Sequence, residues 1–171
     1  DPDATSLTGA EWRLRMEKRR GEHWTWSVWT GQVTPGFEVN DMGFSQSPER
    51  LDGGFRIGYR EIQPGSLFLN YNINFFTFHN FSHEALDDAG SLDSWRRAHM
   101  RGSFNLDSNF TFKNFWGSSV NLSYNPDTYS RTLTRGGPVM LDPGSVRASL
   151  GLNTDRRQAV SFRGNVEYRE G

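Results

Sequence analysis

A strict two-residue alternation of apolar and polar side chains runs through most of this chain and limits what it can fold into. Trp12, Leu14 and Met16 alternate with Arg13, Arg15 and Glu17. Phe55, Ile57 and Tyr59 alternate with Arg56, Gly58 and Arg60. Leu69, Tyr71, Ile73 and Phe75 alternate with Asn70, Asn72 and Asn74. The pattern recurs at 24–28, 97–112, 119–124, 146–153 and 160–168. Successive side chains of a strand point to opposite faces, so a period of two predicts about eight strands, each with one apolar and one polar face. Short turns are predicted at Arg20-Gly21, Gln63-Pro64-Gly65, 114–117 and Asp155-Arg156-Arg157. Longer connections cover 34–51, 82–94 and 134–144. Short turns join antiparallel neighbours, and their alternation with long loops predicts an up-and-down meander. No helix is predicted beyond a single turn at 83–88.

The polar parity decides which face is buried. It consists of Arg, Asn, Ser, Gly and Asp, and Lys18 and Lys113 are the only lysines in the chain. A soluble sandwich or lipocalin-type barrel turns its polar face to water and normally mixes Lys, Glu and Thr there. Small and amide side chains instead suit a confined, hydrated interior. The apolar parity is rich in aromatics, and Trp12, Trp24, Trp26, Tyr59, Trp95, Trp116, Tyr124 and Tyr168 fall near predicted strand ends. Amphipathic rings in those places suit the two lipid–water interfaces. No run of eighteen apolar residues exists for a transmembrane helix. A mean hydropathy of -0.71 is compatible with a membrane barrel, because only half of each strand faces lipid. The expectation is therefore an all-β, antiparallel up-and-down meander forming a transmembrane β-barrel. Residues 1–171 would make one barrel domain, or a stretch of a larger barrel, in a bacterial outer membrane. The alternative is a soluble antiparallel β-barrel that binds a small ligand in its interior.

Composition narrows the function classes. An aromatic share of 14% argues against disorder. The absence of Cys removes disulfides and thiolate metal sites. A net charge of -1 leaves no polyanion footprint, so nucleic acid is not an expected partner. The chain opens Asp1-Pro2-Asp3, which fits a processed protein or an excerpt of a longer one.

The candidate lumen residues are Arg13, Arg15, Arg56, Arg60, Arg101, Asp107, Arg147, Arg163 and Glu167, with Arg97 and Arg131 extending the ladder. One use of such a ladder is a cationic lumen that selects anionic solutes. The favoured use is a structural network of guanidinium–carboxylate pairs, with Glu17, Glu61, Asp107 and Glu167 as partners. His79, His83 and Glu84 have the spacing of a metal site only if they share a helix, and here they straddle a strand end and a loop. Glu38 and Asp41, and Asp87, Asp88 and Asp93, are oxygen-rich but lack an EF-hand spacing. The exposed aromatics could stack on sugars, but a membrane girdle is the simpler use. No nucleophile elbow, Gly-rich phosphate loop or zinc signature is present, so the expectation is a non-enzyme without cofactor. The expected partners are the lipid bilayer and, further, glycans or oligosaccharides.

The stretches EWRLRMEKRRGEHWTWSVWTGQVTPGFEVNDMGF, GYREIQPGSLFLNYNINFF, NFSHE, SWRRAHMRGSFNLDSN, NPDTYSRTLTRGGPVMLDPG and GLNTDRRQAVSF resemble a bacterial barrel family. It is the domain of unknown function found after family-nine-type carbohydrate-binding modules in large outer-membrane proteins. The resemblance covers essentially the whole chain. Its most specific pieces are Pro35-Gly36-Phe37-Glu38-Val39-Asn40-Asp41 and Arg135-Gly136-Gly137-Pro138. It implies an interior stretch of the barrel without the sugar-binding module. It carries over no catalytic residues, and the role it implies is a solute pore or transport component, or a membrane anchor for that module.

Overall fold

The computed structural model describes residues 8–37, 49–130 and 138–171. Eight strands form one antiparallel sheet in the order β1-β2-β3-β4-β5-β6-β9-β10. They are β1 (Glu11–Lys18), β2 (Trp24–Val33), β3 (Arg50–Glu61), β4 (Phe68–Phe81), β5 (His99–Phe112), β6 (Gly117–Asn125), β9 (Ser145–Asn153) and β10 (Arg163–Glu170). A small second sheet pairs β7 (Thr128–Ser130) with β8 (Met140–Asp142). The molecule is thus an all-β meander, as the alternation predicts. Tight connections join β1 to β2, β3 to β4, and β5 to β6 at one end of the sheet. The long connections between β2 and β3, β4 and β5, and β6 and β9 lie at the other. Among the described residues, the edge strands β1 and β10 have no further strand partner.

Strands β2 and β4 end at Val33 and Phe81, where the expected long connections begin, and β3 starts at Arg50, one residue before the expected end of its loop. Other boundaries depart from the expectation. The β9–β10 connection is longer than the predicted turn and takes in Val160 and Phe162, because β10 begins only at Arg163. The stretch read as one strand over 97–112 is shortened by a helix, α1 (Leu92–Ala98), which carries Trp95 and Arg97. Seven residues are too few to hold a helix by propensity alone. Tertiary contacts do it: the Trp95 ring meets Phe81 edge-on at 5.0 Å, and the Ser94 hydroxyl donates to the Glu84 carbonyl at 3.1 Å. A single 3₁₀ turn at His83–Leu86 matches the expected loop turn.

The buried apolar side chains are Val33, Ala85 and Ala98, two of which belong to this loop assembly. Along the sheet, large apolar side chains stay exposed: Leu14 at 65%, Leu150 at 54% and Leu122 at 44%. The sheet therefore has no apolar interior of its own among the described residues. No described helix is long and apolar enough to cross a membrane.

Candidate functional site

Cross-strand register sorts the side chains into two faces, because directly paired residues share a face. On the polar face one rung runs Glu17, Ser27, Arg56, Phe76, Asn105, Ser123, Arg147 and Arg169 across the whole sheet. The next rung towards the long loops holds Arg15, Trp29, Gly54, Phe78 and Ser103. The one beyond holds Arg13, Gly31, Asp52, Asn80 and Arg101. In the other direction follow Thr25, Gly58, Asn74, Asp107, Asn121, Ser149 and Glu167. Arg60 and Arg163 share this face nearer the turns. All nine candidate lumen residues thus lie on one face.

Their pairing is partial. Arg13 meets Glu11 at 3.1 Å, Arg15 meets Glu17 at 3.4 Å, and Arg147 on β9 meets Glu167 on β10 at 2.7 Å. Arg19, beyond the end of β1, also pairs with Glu17. Arg50 binds the buried Asp52 at 2.9 Å, and the Asn80 amide donates to the other Asp52 oxygen. Glu61 falls on the opposite parity and faces His23 at 3.5 Å, and Asp107 pairs with no guanidinium among the described residues. Arg97 sits on α1 and pairs with Asp93 at 3.1 Å, off the sheet face. Arg131, Glu38, Val39, Asn40, Asp41 and Arg135 to Gly137 lie outside the described residues. The polar face carries nine arginines against five carboxylates in register, so it is net cationic. Arg56, Arg60, Arg101, Arg163 and Arg169 have no carboxylate partner among the described residues.

Amides and hydroxyls order the remainder. Asn105 donates to Ser103, Asn121 to Ser149 at 3.2 Å and Asn125 to Ser145 at 3.0 Å. Beside them a cleft of about 440 Å³ is lined by Asn105, Asp107, Asn121, Ser123, Arg147 and Ser149. Three large aromatics that alternation up to Phe75 did not flag also lie on this face. The Trp29 indole lies over Gly54: a Cβ there would come within 2.6 Å of its ring atoms. Phe78 is directly opposite Gly54, and its ring centroid is 5.8 Å from that of Phe76. The Arg101 guanidinium stands 6.0 Å from the centroid of Phe78. The available signal was parity: continuing β4 past Phe75 puts Phe76 and Phe78 in line with Asn70, Asn72 and Asn74.

The apolar face carries two aromatic belts. At the short-turn end His23, Trp24, Tyr59, Tyr71, Phe68, Phe110 and Phe112 form a chain of ring contacts with centroids 4.8–6.1 Å apart. At the long-loop end the chain runs Trp95, Phe81, His79, Phe104 and Tyr124. Trp12 lies on the same rung as Phe81, and its indole donates to Gln32 at 3.0 Å. Trp116 sits in the β5–β6 turn. Trp26, two residues into β2, and Tyr168, two residues before the end of β10, share a rung with Ile57, Phe75, Leu106 and Leu122, between the two belts. From Tyr71 to Phe81 is about ten residues, or about 33 Å along the strand at ~3.3 Å per residue.

His79 shares a hydrogen bond not with His83 but with His99, Nδ1 to Nε2 at 2.9 Å, and Thr77 holds its Nε2 at 2.9 Å. Among the described residues no three His, Asp or Glu groups gather to hold a metal. At the turns, Arg157 forks onto Asp155 at 2.8–3.2 Å and stacks 3.2 Å over the ring of Phe115. The side-chain hydrogen bonds from Arg157, then its backbone N–H, hold the Asp155 carboxyl well below the usual carboxylate range.

The family model for a domain of unknown function, DUF5916, matches residues 2–170. The chain belongs to the DUF5916 family. No curated protein and no solved structure matches it. Membership assigns no reaction.

Proposed function

We propose that this DUF5916 chain forms the wall of a transmembrane β-barrel in a bacterial outer membrane, acting without catalysis as a solute pore or transport component. The observation that carries this reading is the exposed apolar face bounded by two aromatic belts, backed by a cationic, amide-lined face. In water an uncovered apolar face of this size is unfavourable; against lipid it is matched. Strands tilted by about 40° would turn the roughly 33 Å between belts into an apolar band of about 25 Å, the height of such barrels. Unpaired edges do not persist in hydrocarbon, so β1 and β10 would have to pair in the closed wall. The soluble alternative lacks support, because Val33, Ala85 and Ala98 make no ligand-holding apolar interior.

A second reading, a membrane anchor for a glycan-binding module, draws on the resemblance to barrels that follow family-nine-type carbohydrate-binding modules. The five polar-face arginines without a carboxylate partner among the described residues and the open cleft favour solute contact over a plugged interior.

The test is fractionation of the intact protein from bacterial membranes, with unheated and boiled samples compared on a detergent gel. Recovery with the outer membrane and a heat-dependent mobility shift are expected. Recovery as a water-soluble, β-rich monomer without the shift would overturn the reading. Conductance in planar bilayers then separates pore from anchor.

A further inference from the structure

We propose that Trp29, Phe78 and Phe76, flanked by Arg56 and Arg101, form a stacking subsite on the polar face for an acidic oligosaccharide, the uronate class. The inference rests on the barrel reading only in placing this face against water. Three large aromatic rings are out of character on a face otherwise built of Arg, Asn, Ser, Gly and Asp. The backbone makes room for them: Gly54 leaves the space that the Trp29 indole occupies, with Phe78 directly across the same rung. The result is an aromatic surface extended over β2 to β4, continued towards Arg56 by Phe76. A flat apolar surface inside a polar environment suits a ligand with one apolar face and a hydroxylated edge. A sugar ring has that form.

The surroundings supply the polar half. Asp52 and Ser103 are buried beside the rings, at 8% and 7% exposure, and are ordered by Arg50, Asn80 and Asn105. Together they offer both donors and acceptors to hydroxyls. Arg56 and Arg101 occupy the two rungs adjacent to the Trp29–Phe78 rung, each about 7 Å away along the strand. Both are exposed, and neither has a carboxylate partner among the described residues. A guanidinium in that position can take a carboxylate by a two-pronged hydrogen bond. Asn105 also borders the polar cleft, so a second sugar unit would continue from the rings into it. Charge complementarity selects an acidic chain over a neutral one, since arginines outnumber carboxylates on this face.

The test is isothermal titration of the intact detergent-solubilised protein with hexagalacturonate. Cellohexaose serves as the neutral hexamer and hexaglutamate as a polyanion without sugar rings. Hexagalacturonate is expected to bind at least ten-fold more tightly than either. Trp29→Ala, Arg56→Gln and Arg101→Gln should each weaken it at least ten-fold, and Lys113→Gln, in the β5–β6 turn, less than two-fold. Arg56 and Arg101 are exposed, so their variants report binding even if Trp29→Ala fails to fold. Equal binding of hexaglutamate, equal binding of cellohexaose, or no binding of hexagalacturonate would each overturn the proposal. The gel shift on the same sample keeps the two readings apart. A heat-modifiable protein that does not bind removes the subsite and leaves the barrel; binding by a protein without the shift does the reverse.

Discussion

Leu122 and Asn121 are neighbours on β6 and lie on opposite faces of the sheet. Leu122 shares its rung with Leu106, Phe75, Ile57 and Ala148, and remains 44% exposed. Asn121 shares its rung with Asp107 and Ser149 and donates to the Ser149 hydroxyl. One backbone thus presents two different solvation demands. The middle rungs of the apolar face are mostly aliphatic and aromatic, with Trp26, Thr77, Ser108 and Tyr168 as the polar-tipped exceptions, while the polar face is mostly donors, acceptors and charges. The difference supports the proposed membrane-facing sheet over a half-built soluble core. A soluble sheet awaiting a partner layer would keep an ordinary wet face, whereas this polar face holds an aromatic strip and buried Asp52, Ser27 and Ser103.

The sharpest way to break the comparison is to put the same charge on both faces. Leu122→Arg is expected to cost about 2–4 kcal/mol of folding in a bilayer, the range for arginine at mid-depth on a lipid face. Asn121→Arg, beside Asp107, should leave folding nearly unchanged. Urea titration of the heat-modifiable fraction in lipid vesicles measures both, and equal losses would mean that the faces are not differently solvated. A smaller contrast lies on β3. Gly54→Val drives a side chain into the Trp29 ring and should cost about 1–3 kcal/mol, as overpacking does. Gly53→Val, on the other face, meets only the Trp29 carbonyl oxygen at 3.8 Å and should be tolerated. The same titration separates them, and a tolerated Gly54→Val would show that the indole is not held there.

The smallest effect is at the turns, where both faces end. The Asp155 carboxyl is depressed by Arg157, so its pair contributes stability above the unfolded carboxylate pKa of about 3.9. That contribution declines steadily as pH falls below this value and is gone once pH lies below the depressed folded pKa. Carbon NMR of the Asp155 carboxyl should give a midpoint well below about 3.9, and Arg157→Gln should move it back up. An ordinary midpoint in the unsubstituted protein would show that the pair does not form.

Strand polarity, face assignment and the alternation of short and long connections were legible from residue types alone. Side-chain parity is a local property, set by the backbone every two residues. The placement of Arg13, Arg56, Arg147 and Glu167 on one face needed no more than that. The helix α1 was not legible, because seven residues carry too little local signal and Trp95 settles on Phe81, which is distant in sequence. The partner of His79 was equally hidden: His83, four residues on, falls in the loop as expected, and strand pairing brings in His99.

By itself, then, the sequence determined that this chain makes a two-faced antiparallel meander and which residues line each face. Only the tertiary structure decided that Trp29, Phe76 and Phe78 gather among the arginines, since register couples strands far apart in the chain and a side chain's neighbours follow from register. It also decided which arginines find a carboxylate among the described residues and which do not.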